Sequence, residues 1–474
     1  MIESNNNSDL YNKISLIVIL LIALLLRLHG LESKSIWLDE GYSVWAITKP
    51  DLPKLFSSFI FFGQQPVYYL LLKQWFIFFG KSELILRLPN VFIGIFSIYI
   101  LYKFCLLYLD KNTAIIASIL AGFSITHINY SQEIRPYNLM ILLTITSFYF
   151  FILLIQSGGI KNSILYSFIS TALIYTHTFG PSALLIENIY FFTGIFLFKK
   201  VYKLSLKLWL KIQIFIFMFS LPYLYIVLTR IQNYKILFAD WAPKPSPILI
   251  YHTLEETFSG SLPLFIIFML LTIKVIVFSK DRPQIYLLIL WWWFPIILLF
   301  TVSVLFYSIY IDRYLLPATL PFYCLVSKSL QETNKYLKPI ILVIIIIFSI
   351  SNIKDFYSES VNFKHRNVQY KEASKFIDNN AIQSDNILFI PSYIYDTIFT
   401  YYSRRNDLTI INIDINRAKD QAIKKTLSAK KRIWVFNNQY KHNHEKVYQL
   451  FSKNYELTIH KEFTGIDIKL FEKR

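Results

Sequence analysis

Residues 90–109 read NVFIGIFSIYILYKFCLLYL, twenty residues that carry one charge, Lys103. About 20 consecutive apolar residues in a helix cross the hydrocarbon layer of a bilayer. Residues 14–28, 113–128 and 139–155 are runs of the same kind. The first is followed by further apolar runs and by no small-residue cleavage site, so it reads as a retained helix and not as a signal peptide. Composition points the same way. The 474 residues are 55% hydrophobic and 16% charged, whereas an ordinary soluble domain carries about 25% charged residues. A single soluble core cannot absorb that much apolar surface.

The net charge of +18 would suit nucleic acid. Its basic residues, however, collect in short loops between apolar runs, so membrane topology accounts for them and a nucleic-acid partner is not expected. Both cysteines, Cys105 and Cys324, lie inside apolar runs, which supports neither a disulfide framework nor a cysteine metal site. Lys and Arg near span ends resist translocation, and the densest cluster, Lys199, Lys200, Lys203, Lys207 and Lys211, marks a cytoplasmic loop. Counting outward from it puts Lys280 and Arg282, then Lys328, Lys335 and Lys338, on the same side. Counting backward puts Lys161, Lys111 and the N-terminus there too. The result is about eleven spans. Residues 68–79 are too short for one, and counting them would invert every loop before the basic cluster. Residues 29–86 therefore form one large outer loop with amphipathic helices on the membrane surface. Further outer segments are 130–137, 176–180, 230–260 and 308–314.

After a last span at 339–350 the sequence becomes mixed and charged. Helical and strand patterns alternate: helix 368–379, strand 386–390, helix 393–402, strand 408–413, helix 418–428, strand 432–436, helix 445–452 and two closing strands. Such alternation predicts an α/β layer domain. The expected fold is a polytopic α-helical membrane protein, 1–350, with a C-terminal soluble α/β domain, 351–474, on the extracytoplasmic side. The Asn-rich start is expected to be disordered.

An ionisable group in mid-membrane costs about 2.5 to 3.5 kcal/mol or more, and most acids here sit at outer span ends. Asp39 and Glu40 lie in the first outer loop, Glu133 and Arg135 in the second, and Asp312, Arg313 and Tyr314 close another span. Adjacent carboxylates can hold a general base beside a group that orients substrate or metal, or can simply cap a helix. Glu133 and Arg135 read either as an ion pair or as a site where the guanidinium meets a lipid phosphate. Arg313 has the same readings, and can also snorkel to headgroups. His177 could ligate a metal with Glu40 or Glu133, or be structural. Asp240, Trp241, His252, Glu255 and Glu256 match no metal spacing, Arg27 reads as a snorkelling anchor, and His442 and His444 read as an exposed loop pair.

Six stations in order carry a resemblance: Ser35-Ile36-Trp37-Leu38-Asp39-Glu40-Gly41; Gln64-Gln65-Pro66 with Val67-Tyr68-Tyr69; Ser82-Glu83-Leu84 with Arg87-Leu88-Pro89; Tyr130-Ser131-Gln132-Glu133-Ile134-Arg135-Pro136-Tyr137; Tyr175-Thr176-His177; and Arg313-Tyr314-Leu315-Leu316-Pro317. Over about 290 residues the chain resembles the GT-C membrane glycosyltransferases, in the branch of the protein O-mannosyltransferases and the lipid A aminoarabinose transferase. The resemblance implies an inverting transfer of a sugar from a polyprenyl-phosphate carrier to a glycan, lipid or protein acceptor on the outer face of a bacterial plasma (inner) membrane. It implies Asp39 as catalytic base and Glu40 beside it as an acceptor or metal contact. Arg135 and Arg313, with Tyr314, would hold the donor phosphate, and Glu133, Gln64, Tyr68 and His177 would line the substrate site. Family members usually have His-Pro-Pro where this chain has Gln64-Gln65-Pro66, so no role for that His transfers and a divalent metal stays open. The rival class is a transporter or flippase of lipid-linked precursors, which would place ionisable groups near the midplane on broken helices.

Overall fold

The computed structural model describes residues 2–48, 65–197, 202–231, 242–358 and 367–411, and in the tail residues 427, 429–438, 449, 451 and 454–474. Its contacts divide the chain into two compact units. One comprises Met1–His29, Pro50–Gly80 and Ile85–Tyr357, the other Gly30–Lys49, Lys81–Leu84 and Ser358–Arg474.

The first unit is helical. Helix α1 (Ile2–Leu28) is followed by α2 (Leu38–Ile47), which belongs to the second unit, and then by α3 (Pro66–Phe79), α4 (Glu83–Tyr108), α5 (Lys111–Phe123), α6 (Ile125–Ser131), α7 (Tyr137–Ser157), α8 (Ile160–Ile174) and α9 (Pro181–Phe196). There follow α10 (Leu206–Ile231), α11 (Pro247–His252), a π-helical turn Thr253–Ser259, α12 (Leu262–Phe278), α13 (Arg282–Leu305), a 3-10 turn Asp312–Ala318, α14 (Thr319–Gln331) and α15 (Leu337–Tyr357). Helix α1 includes the Asn-rich start expected to be disordered. Once the apolar run has nucleated a helix, each added residue gains a hydrogen bond at little further cost.

Among the described residues six helices are long and apolar enough to span a bilayer, α1, α4, α7, α10, α13 and α15, or eight spans if each of two bent pairs is one. Helices α8 and α9 are shorter apolar helices, so the expected eleven is not reached by length and composition. The helices expose apolar side chains that water would not tolerate as a continuous surface, such as Leu25 of α1, Phe168 of α8, Phe217 of α10 and Ile347 of α15. Inward, Trp209, Trp291 and Trp292 are fully buried, and Phe148 stacks on Trp291 at 3.8 Å. The two cysteines are free thiols whose sulfurs lie 3.5 Å apart in this core.

The bent pairs revise two sequence readings. The apolar run 113–128 is broken at Ser124 into α5 and α6, which meet at 60°. Ser124 leaves the helix (ψ 120°) and its hydroxyl accepts the His127 N–H at 3.3 Å, as an N-cap does. The break frees carbonyls at the end of α5, and Arg27 takes them. Its Nη1 donates to Gly122 O and Ala23 O at 3.0 Å each, its Nη2 to Ala121 O at 3.3 Å, and its Nε to Ser131 Oγ at 3.1 Å. Arg27 is therefore no snorkelling anchor; it is 1% exposed, because carbonyls without water must find donors inside the protein. The second pair lies in the segment expected as an outer loop, where the helical stretch Pro247–Ser259 meets α12 at 95°. Gly260 makes that corner with a left-handed φ of 82°, which a Cβ would oppose.

The second unit holds a sheet of order β2-β1-β3-β5-β4: β1 (Asn386–Ile390), β2 (Thr409–Ile411), β3 (Arg432–Asn438), β4 (Tyr455–Phe463) and β5 (Ile466–Lys473). Strand β1 runs parallel to β2 and β3, while β5 is antiparallel to β3 and β4. Helix α16 (Tyr370–Asn380) precedes β1, and the helical turns Tyr395–Phe399 and Thr400–Tyr402 follow it. The α/β reading of the tail thus holds. The expected helices 418–428 and 445–452 lie outside the described residues but for 427, 449 and 451.

Replacing Arg27 by Met leaves the carbonyls of Ala121 and Gly122 buried without donors. The expected loss is about 2 kcal/mol or more, read as a lower midpoint of thermal unfolding in detergent, with Arg27→Lys falling between the two.

Candidate functional site

In the first unit the loop between α6 and α7 is held from beneath by side-chain amides. Ser131 Oγ accepts from Arg27 Nε and, at 2.9 Å, from Asn138 Nδ2, which also reaches Asn90 O at 2.9 Å. Asn90 Nδ2 in turn donates to the carbonyls of Glu133 and Arg135, the latter at 2.9 Å, and to Tyr68 OH at 3.0 Å. Asn90 and Asn138 are fully buried. The loop that carries Glu133 and Arg135 is thus fixed through its backbone, which leaves the Arg135 guanidinium to be aimed by aromatic neighbours.

Those neighbours converge on Tyr137. The Arg135 guanidinium carbon lies 5.6 Å from the Tyr137 ring centroid, and that of Arg313 lies 5.6 Å from the same centroid. Arg135 Nη1 approaches Tyr69 OH and Nη2 approaches Tyr137 OH, each at 3.5 Å. His177 packs 5.8 Å from Tyr137 and edge-on to Tyr314 at 4.8 Å. Of the residues expected from sequence, Arg135, Arg313, Tyr314 and His177 are brought together here, with Glu133 and Tyr68 tied in through Asn90. Two guanidiniums gathered at one electron-rich ring make a cationic spot, suited to a phosphate or other anion.

His177 lies in the turn between α8 and α9. Burial, and then the charges of Arg135 and Arg313, push its pKa down to about 3, so the imidazole is neutral. Its Nδ1 accepts the Phe179 N–H at 3.1 Å, which assigns the proton to Nε2. A ring engaged in this way keeps no lone pair for a cation, and positive neighbours disfavour one further, so these residues do not fit a metal at His177. Its chemistry here is that of a neutral hydrogen-bond donor.

Gln64 lies outside the described residues, as do Asp240, Trp241, His442 and His444. The adjacent Gln65 is buried, and its Nε2 donates to Thr178 Oγ1 and, at 3.2 Å, to Tyr223 OH. Tyr137, Tyr69 and Asn90 were not singled out from sequence as site residues. Tyr137 ends the Glu133–Arg135 motif and Asn90 opens an otherwise apolar run. A polar amide entering a span is the signal that marks Asn90.

Asp39 and Glu40 open α2 in the second unit and differ sharply. Glu40 is 1% exposed and its Oε2 accepts the Trp37 N–H at 3.3 Å, the N-terminal cap that the sequence allowed. Asp39 is half-buried, and its backbone carbonyl accepts Ser43 Oγ at 3.3 Å. Among the described residues the buried indole Nε1 of Trp37 has no hydrogen-bond partner.

No family model matches the sequence, and neither does any curated protein. Solved structures do match the fold. ArnT from Cupriavidus metallidurans in the apo state superposes with a TM-score of 0.64 at 9% identity, over 96% of this chain and 97% of that one. The same protein bound to undecaprenyl phosphate gives 0.61 at 11% identity, over 96% and 97%. The archaeal oligosaccharyltransferase AglB from Archaeoglobus fulgidus, in complex with an inhibitory peptide and a dolichol-phosphate, gives 0.57 at 11% identity, over 98% and 74%. The arabinofuranosyltransferase AftD from Mycobacteria gives 0.52 at 10%, over 97% and 41%. The chain has the GT-C fold, a polytopic membrane architecture ending in a small α/β domain.

An imidazole protonated only near pH 3 makes the unfolded chain the better proton acceptor below about pH 6.5. The His177 contribution to stability is therefore complete above that value and declines as pH falls toward 3, by up to about 1.4 kcal/mol per pH unit. Thermal unfolding in detergent should show wild type losing midpoint faster than His177→Gln between pH 6 and pH 4, with parallel profiles above pH 7.

Proposed function

We propose that this chain is an inverting glycosyltransferase that moves a sugar from a polyprenyl-phosphate carrier to an acceptor on the outer face of the bacterial plasma membrane. The observation that carries the reading is the convergence of Arg135 and Arg313 on the Tyr137 ring, within a fold shared with ArnT bound to undecaprenyl phosphate. In the proposed reaction the Asp39 carboxylate takes the proton of an acceptor hydroxyl. The acceptor oxygen then attacks the anomeric carbon as the bond from that carbon to the phosphate oxygen breaks, so the configuration inverts. The lipid phosphate leaves as an anion, and guanidiniums at its oxygens stabilise the charge that grows in the transition state. The buried Trp37 N–H is a donor suited to an oxygen of the acceptor. The cap role of Glu40 favours Asp39 as the base.

Two observations favour a transporter of lipid-linked precursors: the broken helices at Ser124 and Gly260, and the fully buried Glu187 of α9. Yet the Glu187 carboxylate accepts from Ser147 Oγ at 2.9 Å and Tyr166 OH at 2.6 Å. That pairing clamps α9 to α7 and α8, as polar residues do between membrane helices. The enzyme reading therefore leads.

The deciding assay is transfer by the purified full-length protein from a panel of defined polyprenyl-phosphate sugars, with surface glycans and lipids compared in cells with and without the gene. Asp39→Asn should abolish transfer while leaving the thermal midpoint in place; retained transfer removes Asp39 as the base. Arg135→Ala should weaken undecaprenyl phosphate binding about tenfold, a loss of about 1.4 kcal/mol, and unchanged binding removes it from the phosphate site. Movement of labelled lipid across proteoliposomes that survives in Asp39→Asn would favour the transporter.

A further inference from the structure

The second unit joins pieces far apart in sequence. The motif Ser35–Gly41, the start of α4 at Lys81–Leu84 and the C-terminal domain form one compact body. Helix α2 rests on the helical turn that follows β1. Gly41 is the tightest point: a Cβ there would lie 2.6 Å from the Thr397 carbonyl oxygen and 2.6 Å from Ile398 Cδ1. Backbone thus meets backbone, and no other residue type fits without moving the helix. Helix α2 also buries Ser43, Val44 and Ile47, and the Tyr42 ring lies 6.0 Å from that of Tyr393.

The segment entering α2 is pinned by polar groups of the tail. Ile36 N–H donates to Tyr402 OH at 2.5 Å, and that hydroxyl donates to Glu83 Oε1. Glu83 Oε2 meets Lys371 Nζ at 2.8 Å. Ser35 Oγ accepts the Lys371 N–H at 3.1 Å and donates to Glu372 Oε2 at 3.4 Å. Tyr402 is the hinge of this set, since one hydroxyl ties the first-loop backbone to the carboxylate at the start of α4. A loop merely resting on a domain would not need a flush backbone contact just two residues beyond Asp39 together with a fixed N-terminal approach to it.

We infer that the C-terminal α/β domain is the frame that holds the Asp39 helix in register, with Gly41 and Tyr402 as positioning residues for that carboxylate. The inference rests on the proposed role of Asp39, and it gives the tail a part in the chemical step without contact to the reacting atoms. Donor capture then depends on Arg135 and Arg313 and not on the seat of α2, so disturbing the seat should lower kcat and spare the lipid.

The test uses full-length Gly41→Ala and Tyr402→Phe in detergent. Three readouts are taken: amide exchange over Leu38–Ile47, undecaprenyl phosphate binding, and transfer. The expected result is at least tenfold faster exchange in α2 with β3 and β5 unchanged, lipid affinity within twofold of wild type, and kcat reduced tenfold or more at unchanged donor KM. Unaltered α2 exchange in both variants overturns the inference, as does loosened exchange with full kcat. If wild type transfers from no donor in the panel, the functional reading fails by itself, and the exchange data still decide whether the tail holds α2. If one variant unfolds, seen as lost protection in β3 and β5, the other decides.

Discussion

Arg27 supplies the hydrogen bonds that a helix broken inside the membrane loses. A continuous run from 113 to 128 would satisfy its own carbonyls, but the chain turns at Ser124 and leaves Ala121 and Gly122 without helical partners in a region that lacks water. One guanidinium answers both, and its Nε reaches Ser131. From Ser131 the order passes to Asn138, to Asn90, and to the carbonyls of Glu133 and Arg135. The loop that bears the candidate phosphate ligand is therefore a consequence of the break. Without the bend at Ser124 there would be no reason for the buried cation, and without the cation the loop would lose its floor.

Gly94 shows how close this arrangement is. A Cβ at that position would lie 2.4 Å from Ser131 Oγ, 3.2 Å from Asn138 Nδ2 and 3.4 Å from Arg27 Nε. The glycine is there so that α4 can approach the network, which is a packing demand and not a demand of turn geometry. Burying three polar side chains around one glycine is tolerable only because each is paired.

How much of this was legible in the sequence depended on the range of the interaction. Apolar runs announce helices because one segment carries the whole pattern, so α1, α4 and α7 are plain, and the alternation in the tail announced β1, β3 and the closing hairpin. The break at Ser124 was not legible, since a serine inside an apolar run also sits comfortably in a straight helix by bonding back to its own turn. Arg27 was misread for the same reason: apart from Ala23 its partners are 94 to 104 residues away, and local sequence shows only a cation near a span end. The cluster of Arg135, Arg313, His177 and Tyr314 was foreseen as polar residues at span ends, but their common centre, the Tyr137 ring, was not, because an aromatic beside many aromatics carries no signal until the helices are packed.

The paired carboxylates illustrate how structure divides a motif that sequence presents as a unit. Asp39 and Glu40 are chemically alike and adjacent, so either suits a base or a cap. Successive residues on a helix point about 100° apart, and only one of them can fold back over the first turn. Glu40 does so, and a carboxylate that holds the Trp37 N–H serves the fold by neutralising the positive end of α2. Under the proposed reaction, with Asp39 as its one base, the second acid of the pair serves the helix. The same logic governs the far side of that turn, where Gly41 admits the Thr397 carbonyl. Asp39 precedes both the residue that caps its helix, Glu40, and the residue that lets the helix lie flat, Gly41, and its position follows from both.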